Sequence, residues 1–310
     1  MIKLLIGGSP CTHWSIAQSK GRETNAKGIG WELFENYRIA KEKFQPDFFL
    51  YENNWSASSE IKEQIQKELS HELMRINSGL VSAQNRDRFY VFNWDVEQPE
   101  DKCIAVSDVI TRDCLKPYNG GKFNRMKPDL TEKSSKMYQI GRTGESNGQA
   151  VRVYDIMGKS ATLKSQSGGG GAKTGLYLVD DGVYGINSLG AERLQTLPDG
   201  YTAFIPESRR MECIGNGWTA DVIVHILNGV LKDVPKNEKI VVLSMYDGIA
   251  TGRYCLDKMG FTNAEYHAYE IDKYAIKVAM SNYPDIIQHG DAFQVREEGW
   301  GLNVPLSQQN

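Results

Sequence analysis

Three apolar runs without polar alternation constrain this 310-residue chain most: Leu4-Leu5-Ile6, Phe48-Phe49-Leu50-Tyr51 and Ile240-Val241-Val242-Leu243. A strand with one wet face alternates apolar and polar side chains, so unbroken runs fit a largely parallel sheet covered on both faces. Between the first two runs, Leu33, Phe34, Tyr37, Ile39 and Ala40 recur at helical spacing, and Pro46-Asp47 ends that segment. The pattern is a βαβ unit, whose right-handed crossover brings both strand ends to one edge of the sheet. Two reactive residue types stand at those ends: Cys11, after Ser9-Pro10, and Glu52, in Tyr51-Glu52-Asn53-Asn54. Singly, a cysteine is more often a small buried apolar residue and a glutamate part of a solvated face. Paired at one sheet edge, they suggest one active site.

Gln84-Asn85-Arg86-Asp87-Arg88 adds two arginines at alternate positions of a segment with strand character, so both guanidinium groups are expected on one side, within reach of a carboxylate. The third apolar run leads through Met245-Tyr246-Asp247-Gly248-Ile249-Ala250-Thr251-Gly252 into a helix. Glycines at such a turn let backbone approach a ligand, and the amino end of the helix offers free N–H donors. Glu270-Ile271 follows the next short strand, where an acidic side chain can bind ribose hydroxyls, and Asp291-Ala292 closes a third strand.

In this order the segments resemble the DNA cytosine-5 methyltransferase family. Pro10-Cys11 matches its nucleophile motif, Glu52-Asn53 its Glu-Asn motif and Gln84-x-Arg86-x-Arg88 its paired-arginine motif. Residues 149–177, with Arg152-Val153-Tyr154, Thr162-Leu163 and a glycine run before Ala172-Lys173, look like the DNA-contacting part of its target-recognition domain. Glu192-Arg193-Leu194-Gln195 with Leu197-Pro198-Asp199 matches the motif closing that domain, and Ile214-Gly215-Asn216 the late Gly-Asn motif. The resemblance implies an α/β fold, a Rossmann-like sheet of an S-adenosylmethionine-dependent methyltransferase, with a small, mostly β target-recognition domain. The cofactor motifs come last instead of first, so the chain reads as a circular permutation. Residues 1–95 are then the catalytic half and 96–203 the target-recognition domain. Residues 204–310 hold the late motif, a linker at 234–239 and the cofactor half. Permutation is tolerated where old ends lie close together; the new ends then correspond to the loop between the strand ending at Asp291 and the strand starting near Ile2, so Met1 and Asn310 are expected on one side, with residues 293–310 partly covering the former connection.

The resemblance also assigns roles. Cys11 adds to C6 of cytosine, Glu52 holds or protonates ring N3, and Arg86 and Arg88 position that carboxylate. S-adenosylmethionine is expected against Tyr246, Asp247, Gly248, Ile249, Thr251, Gly252, Glu270, Ile271, Asp291, Ala292, Pro10 and Asn216. A stacked base is out of reach, so the cytosine must be flipped out, with residues 12–30 as a mobile loop closing over it. Gln149 is expected to fill the vacated space and Arg152 to read guanine, with Thr162 and Lys173 as further base or phosphate contacts. This segment resembles members that read short GC-rich palindromes such as GCGC. Asn54 in place of valine, Trp218 after Gly-Asn-x and the Tyr246-Asp247-Gly248 turn depart from the family pattern.

Net charge is −3, yet residues 120–175 carry ten Lys or Arg against four acids, a basic lobe suited to double-stranded DNA on an acidic body. Five cysteines without a Cys-x-x-Cys pair argue against a disulfide scaffold or zinc cluster, so no metal is expected and Cys103, Cys114, Cys213 and Cys255 read as structural thiols. No apolar run is long enough to span a membrane and no secretory leader is evident, which suits a cytoplasmic enzyme, bacterial or phage-encoded, acting as a monomer. A cognate restriction endonuclease is left open as a partner. Two rival readings stand: a tRNA cytosine-5 methyltransferase, whose Cys-Phe-Thr motif is absent here, and a non-catalytic DNA-binding relative, against which intact Cys11, Glu52, Arg86 and Arg88 argue. A nicotinamide-binding enzyme would leave Pro10-Cys11 unexplained.

Overall fold

The computed structural model describes residues 1–16, 21–146, 148–165 and 171–302. They form two compact units, one of residues 1–76, 87–97 and 224–302, the other of residues 77–86 and 98–223. The first unit opens with β1 (Ile2–Gly7), α1 (Ile29–Phe44) and β2 (Phe48–Asn54), the expected βαβ unit, with β1 and β2 parallel and Gly7 beside Tyr51. α1 buries Phe34, Tyr37, Ala40 and Phe44, one stripe of its surface. α2 (Ser59–Leu69) starts where the Ser58 hydroxyl caps Ile61 N and buries Ile61, Ile65 and Leu69 at four-residue intervals. β3 (Leu73–Asn77) lies at the sheet edge, and β4 (Asp87–Phe92) runs antiparallel to β2.

The chain then builds the second unit. α3 (Val106–Val109) precedes β5 (Leu115–Pro117), β6 (Asn124–Arg125), β7 (Gln139–Arg142), β8 (Arg152–Asp155), β9 (Leu176–Val179) and β10 (Gly182–Ile186). These six strands form one sheet in the order β5-β10-β9-β8-β7-β6. α4 (Ser188–Leu194) and α5 (Glu207–Asn216) follow; Leu194 and Ile214 join Leu163, Tyr177 and Ile186 in the core of this unit.

After α6 (Ala220–Leu231), residues 232–239 lead back to the first sheet. β11 (Ile240–Met245), α7 (Thr251–Lys258), β12 (Glu265–Tyr269), α8 (Lys273–Asn282) and β13 (Ile287–Gln288) complete it. The strand order is β13-β12-β11-β1-β2-β4-β3. β1 and β11, far apart in sequence, are its parallel central pair, in register from Ile2 beside Ile240 to Gly7 beside Met245. Strands run outward on both sides of that pair, so the sheet has its topological switch point there, and ligand crevices form at the carboxyl ends of such strands. This is a doubly wound order whose chain begins at a central strand.

Met1 sits at the opposite end of β1, its amino group paired with Glu238, and Ile2 N donates to Lys239 O at 2.8 Å. The segment after β13 packs on α1: Arg296 donates to Glu32 O at 2.9 Å and Lys43 to Glu297 O at 2.8 Å. Asn310 lies outside the described residues. Cys114, Cys213 and Cys255 are buried as expected, whereas Cys103 is exposed and held at φ 50°, so burial does not make it a structural thiol. No helix among the described residues is long and apolar enough to cross a membrane.

Candidate active site

The carboxyl end of β1 is tied to that of β2. A Cβ on Gly8 would lie 2.7 Å from the Glu52 carbonyl oxygen and 2.9 Å from its Oε2, so only glycine lets the turn pass so close to this carboxyl group. Ser9 Oγ is 2.7 Å from Tyr51 OH, and Asn53 Nδ2 donates to Ser9 O at 2.9 Å and to Tyr51 OH at 3.0 Å. Pro10 is exposed; Cys11, half-buried, opens a single 3-10 turn whose first carbonyl accepts from Trp14 N and Ser15 N. Glu52 accepts from Arg88 Nε at 2.9 Å, both side chains nearly buried. The β2–β4 register sets Asn54 opposite Arg88 and Glu52 opposite Tyr90, which makes Arg88 the diagonal neighbour of Glu52 on one face of the sheet. A carboxylate this buried requires such a partner. Beyond Cys11, Glu23 gathers the chain, accepting from Trp14 Nε1 at 3.3 Å and Gly30 N at 3.0 Å. Residues 17–20 of the expected mobile loop lie outside the described residues. Asn54 donates to Ser15 Oγ at 3.3 Å, so this departure from the family pattern supports the same loop.

The turn after β11 is built at the neighbouring strand end. Tyr246, Gly248 and Ala250 all have φ near +60°, and a Cβ on Gly248 would meet nothing within 4 Å, so the turn presents its backbone to open space. Glu270 receives Gly248 N, Ile271 N and Asp272 N, each at 2.8 Å. Ile271 is 73% exposed, a large apolar side chain with little protein cover. Tyr246 OH donates to Leu33 O at 2.7 Å and accepts from Asn36 at 3.1 Å, which anchors it to α1; burial pushes its phenol well up. Asp247 Oδ1 accepts from Ser244 and Tyr266, both at 2.7 Å, while its buried Oδ2 has no hydrogen-bond partner. Burial pushes this carboxyl up to about 7. Asp291 caps the following 3-10 segment through Phe293 N at 2.9 Å. Ile249, Thr251, Gly252 and Ala292 are interior packing residues of this site. An orphaned buried oxygen, an open glycine turn and an acidic strand end together fit a nucleoside-bearing ligand with a polar tail.

In the second unit a buried polar network joins the sequence motifs. Gln84 Nε2 donates to Gln195 Oε1 at 3.0 Å, and Leu163 N donates to Gln84 Oε1 at 3.0 Å. Gln195 Nε2 reaches Ile214 O and Gly217 O, and Thr219 donates to Gln195 Oε1 at 2.6 Å. Arg86 donates to Leu163 O, Gly215 O and Gly217 O at 2.9–3.3 Å. Asn216, exposed, ends α5. Both Glu192 oxygens are consumed inside, by Gly200 N, Thr202 and Arg210.

Of the expected recognition residues, Gln149 and Lys173 are tied to the segment at 171–173, and residues 166–170 lie outside the described residues. Lys164 N donates to Lys173 O at 3.0 Å, Gly171 N to Ala150 O at 3.1 Å and Gln149 Nε2 to Ala172 O at 3.3 Å. Arg152 opens β8 directly opposite Arg142 of β7. Thr162 instead spends its hydroxyl on Asn85 O. One of the ten basic residues is not available to a partner: Lys159 is 1% exposed, its ammonium donating to Ser82 O at 3.0 Å and Ile104 O at 2.8 Å. Ser9, Asn36, Gln195 and Thr219 escaped sequence reasoning as site residues. Their only local signal is a polar residue amid apolar neighbours or inside a motif.

The family model described as C-5 cytosine-specific DNA methylase matches residues 1–232. Type II methyltransferase M.HhaI of Haemophilus parahaemolyticus is 25% identical over 248 residues, 72% of this chain and 74% of that protein. Orphan methyltransferase M.Rho11sI of Bacillus phage rho11s is 26% identical over 252 residues, 57% of this chain and 48% of that protein. A solved structure described as a prophage-encoded DNA modification methyltransferase of E. coli covers 73% of this chain and 78% of its own at 16% identity, with a TM-score of 0.45, too low to bear on function.

Proposed function

The chain belongs to the C-5 cytosine-specific DNA methylase family, and from that premise we propose that it transfers a methyl group from S-adenosylmethionine to C5 of a cytosine flipped out of a short duplex DNA site. The observation that carries this reading is the strand-end pair: the Ser9-Pro10-Cys11 turn is bonded to the strand that carries Glu52, whose carboxyl group is held by Arg88 at 2.9 Å. Cytosine C5 is a poor nucleophile until the ring is activated. The Cys11 thiolate adds to C6, Glu52 holds N3 as negative charge develops on the ring, and Arg88 fixes the carboxylate. Loss of the C5 proton after methylation restores the ring and expels Cys11 as thiolate. Arg86 supports the carboxyl end of α5 through its contacts with Gly215 O and Gly217 O.

S-adenosylmethionine, when bound, supplies an electrophilic methyl group on a sulfonium. The residues that fit it are Tyr246, Asp247 and Gly248 at the turn, Glu270 for ribose hydroxyls, Ile271 as an apolar face for the base, and Asp291 for the adenine amine. Pro10 is a further candidate. In the second unit Gln149, Arg152 and Lys173 are assigned to DNA, whereas the engaged hydroxyl of Thr162 suits it to supporting the strand.

The test is tritiated methyl transfer to unmethylated duplex DNA and to tRNA, with product bases separated and Cys11→Ser alongside. 5-Methylcytosine in DNA only, reduced to background by Cys11→Ser, is expected. Transfer to tRNA would favour the RNA reading, and DNA binding without transfer the binding-module reading.

A further inference from the structure

We propose that the Tyr51 hydroxyl is a positioning group for Cys11, acting through Ser9. This rests on the thiol chemistry proposed above and adds to it residues outside the reacting set. Tyr51 is fully buried, with its ring edge-on to Phe34 and Tyr37 at centroid distances of 5.3 and 5.0 Å. A phenylalanine would satisfy that packing. The hydroxyl is a separate feature, and it has a defined role: Tyr51 OH and Ser9 Oγ are 2.7 Å apart, and Asn53 Nδ2 reaches Tyr51 OH, Ser9 O and Ser9 Oγ at 3.0, 2.9 and 3.3 Å. Asn53 Oδ1 is taken by Asn54 N at 2.8 Å, so the amide orientation is fixed and its two N–H groups face this cluster. All three residues are at most 3% exposed, where a polar group lacking its partner costs free energy.

The consequence lies two residues away. Tyr51 and Asn53 leave β2 on one face and Glu52 on the other, so one strand end holds Ser9 from one side and meets Gly8 at the Glu52 carboxylate from the other. Because Ser9 is grasped at both its carbonyl and its hydroxyl, the turn through Pro10 fixes where the thiol sits relative to that carboxylate. Rates depend steeply on such placement, with misplacements of about 1 Å costing on the order of a hundredfold.

Tyr51→Phe, Ser9→Ala and the double variant test this. Expected is a fall in kcat of about ten- to a hundredfold with the KM for DNA within about twofold of wild type. The double variant is expected to lose less than the two single losses combined, because both variants remove the shared bond between Tyr51 and Ser9. In parallel, hydrogen exchange at the amides of Trp14 and Ser15, which both end on Cys11 O, is expected to speed up in each variant while that of β12 is unchanged. A kcat within twofold of wild type for both single variants, or losses that simply add, overturns the proposal. If the wild-type protein transfers no methyl group, the functional reading fails; unchanged exchange at Trp14 and Ser15 would then independently refute the clamp, and faster exchange would uphold it.

Discussion

Asp247 is where packing and chemistry conflict most sharply at the level of single residues. Its carboxyl group is buried, two hydroxyls donate to one oxygen, and the other oxygen has no partner. Desolvation, only partly offset by the hydrogen bonds from Tyr266 and Ser244, pushes it up from 3.8 to about 7. A raised folded-state value means that the folded protein keeps this proton where the unfolded chain has lost it. The stabilising contribution is therefore complete at low pH and declines as pH rises from about 4 to about 7. Thermal unfolding of the ligand-free protein against Asp247→Asn, followed from pH 4.5 to 8, is expected to show the wild type losing ground up to about pH 7 and a constant gap above it. A difference independent of pH would refute this. The sequence offered Asp247 as one residue of a glycine turn, but not that Tyr266 and Ser244 would both donate to its Oδ1 while Oδ2 is buried without a partner.

Among elements, the βαβ unit was legible because its signals are local: unbroken apolar strands, a helical stripe and a proline break. The polar network of the second unit was not, because Gln84, Gln195 and Thr219 are ordinary polar letters until α4 and the segment after α5 bring them together. Gln195→Ala is expected to destabilise the protein by about 2–4 kcal/mol, since it strands the Gln84 amide, the Thr219 hydroxyl and two carbonyls in a buried place. Urea unfolding reads this directly, and a loss below about 1 kcal/mol would mean that water replaces the amide. Helix α7 makes a second prediction. A Cβ at Gly252 would come within 2.3 Å of Ile6 Cδ1 and 2.7 Å of Tyr266 OH. Gly252→Ala is therefore expected to cost about 1–3 kcal/mol by overpacking, in contrast to the gain an alanine usually brings to a helix.

On the scale of the whole molecule, charge is unevenly distributed: a net −3 hides a basic stretch at residues 120–175. Lys159 must be subtracted because its charge is spent on interior carbonyls, whereas Arg142 and Arg152 stand opposite each other across β7 and β8. If about six phosphates are contacted, duplex affinity is expected to fall roughly a thousandfold between 50 and 200 mM salt. Titration at several salt concentrations checks this, and a flat dependence would contradict it. The two sheets set the remaining division. The chain's own letters determined that strands of a parallel sheet carry Cys11 and Glu52 at neighbouring ends, and that the glycine-bearing turn comes last, because apolar periodicity, turn residues and motif order are written within short windows. Tertiary structure alone decided that β11 pairs with β1, that Lys159 is interior, and that Tyr51 and Asn53 grip Ser9. Those contacts are set by strand register and long-range burial, which join residues tens to hundreds of positions apart and leave no mark on either partner's neighbours.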